Sequence, residues 1–88
     1  MAQLDKVLDR VLRGTSDNAV DFQELRRLLL ALGFQERIRG SHHIYTRDGV
    51  TEILNLQPKG KLAKPYQVRQ VRRLIVTYKL GDISDAKD

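Results

Sequence analysis

The sequence predicts an α+β domain of two layers, with helices packed on one face of a small antiparallel sheet. Three observations lead to this. Apolar residues recur with the helical period near both ends of the chain, as Leu4-Val7-Leu8-Val11-Leu12 and Val68-Val71-Leu74-Ile75-Tyr78. Between them, residues 34–56 break into three short runs fit for strands. Two of these runs flank Asp48-Gly49, a strong two-residue hairpin signal.

The elements follow in order. Helix one is expected over Gln3 to Arg13, with Gly14 at its C-terminal stop and the polar stretch 14–18 as a linker. Its period does not say whether it docks on this domain or on another subunit. Asp21 and Glu24 form a capping box that opens a second helix. Leu25, Leu28, Leu29 and Leu32 make its core stripe, Arg26 and Arg27 face away, and Gly33 ends it. Strands are expected over Phe34 to Arg39, Ser41 to Arg47 and Val50 to Leu56, and their short connections favour an antiparallel meander. Residues 57–64 form a loop with three lysines. Pro65 suits the first position of a last helix, which Gly81 ends. The tail from Asp82 is polar. With helix one counted as an addition, α-β-β-β-α is the order of a double-stranded-RNA-binding domain, a likeness of fold that does not by itself give function. The chain is thus expected to be one domain over residues 1–88, with an extension helix at 3–13, a core at 20–80 and a polar tail at 82–88.

Composition narrows the function classes. There is no cysteine, hence no disulfide framework, no thiolate zinc site and no thiol nucleophile, which fits a reducing cytoplasm. No apolar run approaches the roughly 18 residues of a membrane span, and the charged N-terminus does not read as a secretory signal. The net charge is +5, and its distribution is uneven. Residues 1–52 carry eight basic and eight acidic side chains, whereas residues 53–81 carry seven basic ones and no acid. Such a block suits a polyanion partner; the competing reading is a solvated basic face.

The chemistry centres on Arg39-Gly40-Ser41-His42-His43-Ile44-Tyr45, which holds both histidines of the chain. Histidine exchanges protons near neutral pH. Glycine lets a backbone approach a ligand, and serine adds a hydroxyl. Adjacent strand residues point to opposite faces, so the two histidines do not chelate one metal. No carboxylate pair stands near them in sequence, no phosphate-binding glycine loop of the P-loop type occurs, and no G-x-S-x-G elbow is present. A metal-free, cofactor-free reaction on a phosphate ester fits this set. RNA brings its own 2′-hydroxyl nucleophile and needs a base, cations and an acid. Lys59, Lys61 and Lys64 precede the last helix, where the free N–H groups of Tyr66, Gln67 and Val68 favour an anion. A phosphate held between histidine and lysines is the expectation; lysines that merely solvate the loop are the alternative. A purely structural role for the two histidines, as surface residues, also stands.

The block Gly40-Ser41-His42-His43-Ile44-Tyr45, with Leu54-Asn55-Leu56-Gln57, Lys59-Gly60-Lys61 and Lys64-Pro65-Tyr66-Gln67-Val68-Arg69-Gln70, resembles the HicA family of bacterial toxins. The likeness covers about Phe22 to Tyr78; helix one lies outside it. It implies a small RNA-binding-like fold, cleavage of messenger RNA without a metal, and a HicB antitoxin that covers the active site. It further implies a catalytic histidine at His42 or His43, with His42, directly after Gly-Ser, the usual choice in the family. Gly40, Ser41, Lys59, Lys61, Lys64 and Arg69 are then the RNA- or phosphate-binding residues. Parity leaves the choice open: His42 shares a face with Ile44, and His43 with Tyr45. If Ile44 is core, His42 points inward at the strand's start, into a cleft that admits RNA. A non-catalytic RNA-binding module is the competing function.

Overall fold

The computed structural model describes residues 2–81; the expected polar tail at 82–88 lies outside them. Helix α1 spans Ala2–Arg13 and α2 Phe22–Ala31, with a single 3-10 turn at Asp17–Ala19 between them. Strands β1 (Gln35–Arg39), β2 (His42–Arg47) and β3 (Val50–Leu56) follow, and α3 (Pro65–Tyr78) closes the fold. The sheet is an antiparallel meander in the order β1-β2-β3. This is the expected α-β-β-β-α layout with a helix added in front.

The core sits between the sheet and the helices. From α2 it takes Phe22, Leu25, Leu28 and Leu29, with Leu32 from the cap that follows, from the sheet Tyr45, Leu54 and Leu56, and from α3 Val68, Val71, Leu74 and Ile75. Helix α1 docks on this same domain, with Val7 and Val11 fully inside the core cluster. Arg72 clamps it there. Its guanidinium donates to the Val11 carbonyl (3.0 Å) and to both carboxylate oxygens of Asp17 (2.9 and 3.1 Å). One of the seven cations in the basic block is therefore already engaged within the fold.

The helix ends show why the boundaries fall where they do. Asp21 caps α2 as expected, accepting from the Gln23 and Glu24 N–H groups. At its other end Phe34 N–H reaches the Leu29 carbonyl and Gly33 N–H the Leu30 carbonyl, a Schellman turn with Gly33 at φ +97°. Helix α3 ends by the same device two residues before the expected glycine. Lys79 takes the left-handed position at φ +55°, and Leu80 N–H bonds the Ile75 carbonyl while its side chain is buried. Gly81 is not the stop. Tyr78, last on the apolar stripe of α3, is half-buried: it packs against the core and donates its hydroxyl to Glu52.

Arg39 pairs with His42, so Gly40-Ser41 is itself a two-residue hairpin loop. Gly40 has φ +58°, the first-position requirement of a type II′ turn, and open space where a Cβ would stand. Its glycine answers to backbone conformation here, not to a close neighbour. Arg47 pairs with Val50 across Asp48-Gly49, the second hairpin.

Candidate functional site

Strand parity sorts the sheet into two different surfaces. Tyr45, Leu54 and Leu56 are fully buried, and His43, which pairs with Leu56 and lies two residues from Tyr45, turns to the same helix side. Ile44 is only half-buried and Asn55, its partner on β3, is exposed. Tyr45, not Ile44, is thus the core residue of β2, so the condition under which His42 would point inward into a cleft is not met. His42 stands on the helix-free face, exposed to solvent.

On that face His42 has one side-chain partner among the described residues. Its Nδ1 lies 3.0 Å from Asn55 Oδ1, diagonally across β2 and β3. An amide oxygen only accepts, so this contact is a hydrogen bond in the tautomer that carries its proton on Nδ1. In that tautomer Nε2 keeps the lone pair of the neutral ring. Next to it Ser41 Oγ accepts from Gln57 Nε2 at 2.8 Å. Gln57 is in turn held through its backbone. The buried Gln67 amide, oriented to satisfy both groups, donates to the Gln57 carbonyl (3.1 Å) and accepts from the Gln57 N–H (3.0 Å). A chain of bonds therefore runs from the first turn of α3 to the turn that precedes the histidine. Sequence reading gave the side chains of Asn55, Gln57 and Gln67 no role in the site. The parity of Asn55 against Ile44 was the available signal, and it needed the register to be used.

On the helix side His43 belongs to a network that sequence reading missed. Glu36 accepts from Arg26 Nε and Nη2 (2.7 Å each) and from the Tyr45 hydroxyl (2.5 Å), and lies 3.4 Å from His43 Nδ1. The Arg26 hydrogen bonds, helped by Tyr45 and His43, hold the Glu36 carboxyl at about 2, below the ordinary 4.5, against a burial that works the other way. Burial, and then Glu36, push the Tyr45 hydroxyl up. The His43 ring meets Phe22 edge-on, with centroids 4.9 Å apart at 71°. Arg26, expected to face away, is the cross-layer anchor of this network.

The basic loop lies toward the start of α2. Phe22 N–H bonds the Lys61 carbonyl (2.9 Å), Ala63 N–H the Val20 carbonyl (2.9 Å), and Lys59 and Leu62 close a tight turn. Lys59 and Lys61 are exposed, Lys64 is half-buried at the N-cap of α3, and Arg69 is exposed one turn later. Among the described residues no hydrogen bond or ion pair joins these four side chains to either histidine. The expected anion pocket at the helix start is also smaller. The Gln67 and Val68 N–H groups are spent on the Lys64 carbonyl (2.9 and 3.2 Å), which leaves Tyr66 N–H of the three. Among the described residues no three histidine, cysteine, aspartate or glutamate side chains gather as a metal site. No helix there is long and apolar enough to cross a membrane.

Residues 22–75 of the 88 match the model of a family described as HicA toxin of bacterial toxin-antitoxin. The chain belongs to the HicA toxin family. The matched span begins at Phe22, the residue against His43, and ends at Ile75 in the core, so it holds the sheet, both histidines and the basic loop. Helix α1 lies outside it, yet packs into the HicA core. Membership makes this a toxin of a toxin–antitoxin system, with an antitoxin as partner. No curated protein sequence and no solved structure matches the chain.

Proposed function

We propose that this HicA protein is an endoribonuclease that cleaves messenger RNA without a metal, with His42 as its general base and acid. The observation that carries this reading is the His42–Asn55 contact on an open face. It presents an imidazole with a lone pair at Nε2 to a solvent-accessible surface. In the proposed step Nε2 takes the proton of a 2′-hydroxyl, whose oxygen attacks the adjacent phosphorus. The bond to the 5′-oxygen breaks, that oxygen leaves with a proton from the imidazolium, and a 2′,3′-cyclic phosphate remains. Asn55 accepts from Nδ1 in both protonation states and so holds the ring throughout. Lys59, Lys61, Lys64 and Arg69 supply positive charge for the RNA backbone at the same end of the sheet, with Gly40 and Ser41 in the turn beside the histidine. A HicB-type antitoxin, bound over this surface, neutralises the toxin in the cytoplasm.

Pure protein incubated with single-stranded RNA in EDTA tests the reading. Cleavage to fragments ending in cyclic phosphate is the expected result. Activity that disappears in EDTA and returns with magnesium overturns the metal-free step. Retention of RNA without cleavage assigns the chain to the competing class, a non-catalytic RNA-binding module.

The lysines carry a separate prediction. Replacing Lys59, Lys61 and Lys64 together with alanine should flatten the salt dependence of RNA binding by about 0.7 in slope for each lost contact to a single strand. Titration at several salt concentrations measures this, and an unchanged slope leaves the three lysines as solvated side chains.

A further inference from the structure

We propose that the helix-free face of the sheet is the track for the single-stranded substrate, with Arg37 and Arg39 holding the phosphates next to the one on which His42 acts. The inference rests on the ribonuclease reading above and adds residues that the basic block does not contain. Register places them: Arg39 pairs with His42 and Arg37 with Ile44, so both arginines project from the same face as the histidine. Both are exposed, and neither has an ion-pair partner among the described residues.

The signs of charge are sorted by face. The three strands contain two acids, Glu36 and Glu52. Glu36 turns to the helix side, where it meets Arg26, and Glu52, in the irregular part of β3, accepts from the Tyr78 hydroxyl of α3. The regularly paired part of the open face, around His42, thus carries guanidinium and imidazole and no carboxylate. Arg37 and Arg39 lie two residues apart on an edge strand, roughly 7 Å along it, with no further strand beside them. That spacing suits successive phosphates, and a guanidinium engages phosphate with two parallel donors. Across the sheet from this rail, Ile44 and the exposed Ile53 form an apolar floor on β2 and β3. A strand of RNA with its backbone on β1 would lay its bases over that floor and its 2′-hydroxyls beside His42. Cations spaced along one edge, with an apolar floor beside them, fit the phosphates and bases of an RNA strand, and the antitoxin that covers this surface in the neutralised state competes with that strand.

Binding of a labelled single-stranded RNA by the His42→Gln protein, which leaves the probe intact, reads this out over a salt series. Adding Arg37→Gln and Arg39→Gln should lower the slope by about 1.4, two contacts at about 0.7 each. Ile53→Ser should weaken binding with the slope unchanged, because its contact is not ionic. If the parent protein cleaves RNA but the double arginine change leaves the slope where it was, the track is elsewhere and only this inference falls. If the double change spares the slope and abolishes antitoxin binding, the face belongs to the protein partner and the inference is again overturned. If the parent neither binds nor cleaves RNA, the ribonuclease reading falls and takes the track with it. Circular dichroism on each variant confirms that it is folded.

Discussion

His42→Gln should cleave RNA at least about a hundredfold more slowly than the parent, because general acid–base catalysis is typically worth about 10² to 10⁴ in rate. Glutamine is polar and of similar reach, but it takes no proton near pH 7. The side chain is exposed and its one partner is Asn55, so the fold should survive and RNA binding should stay nearly unchanged. Expressed without antitoxin, the variant should be harmless. His43→Gln should behave differently. It removes an edge-on contact to Phe22 and a neighbour of Glu36, so its main cost should be stability, with about 0.5–1.5 kcal/mol from the aromatic pair. Cleavage rates and urea midpoints of both variants separate the two roles. A folded His43→Gln protein without activity, beside an active His42→Gln protein, would move the chemistry to the His43–Glu36 pair. If neither change slows cleavage, the site is not on this strand.

Glu36→Gln should be the most destabilising single-charge change in the sheet. It leaves Arg26 without its carboxylate and the buried Tyr45 hydroxyl with a weaker acceptor. The loss should be about 3 kcal/mol, at the low end for breaking a buried pair because Arg26 keeps part of its surface in water. The pH dependence follows from the depressed folded-state carboxyl. Its contribution is fully present above about 4.5, the unfolded value, and is lost as pH falls through the folded value of about 2. Parent and variant should therefore differ most near neutrality and converge as pH is lowered across that window. Urea unfolding at pH 7, 4 and 2 measures the convergence. A constant difference at all three would show that Glu36 acts through shape and not charge.

Much of this fold was legible because its signals are local. The leucine stripe of α2, its Asp21 cap, the Asp48-Gly49 hairpin and Pro65 at the start of α3 each act within a few residues, and each stands where expected. The errors sit where a distant partner decides. Arg26 is drawn inward by Glu36, and α3 stops at Lys79 because buried Leu80 stabilises a Schellman turn there. At the candidate site the sequence singled out the turn and the two histidines and left open whether Ile44 or Tyr45 is the core residue. Ile44 and Tyr45 are both apolar, and alternation alone does not rank them.

The sequence by itself determined the element order, the family-bearing motif, the opposite facing of His42 and His43, and a cationic second half. Only the tertiary structure decided which histidine meets solvent. The pairing of β2 with β1 and β3, and the burial of Tyr45 against the helices, fix a phase that a period of two leaves free. The same pairing brings Asn55 to His42, sets Arg37 and Arg39 on their face, and spends Arg72 on the clamp that holds α1. Charge counted along a chain sums cations regardless of where they point, whereas a site depends on which of them share a surface.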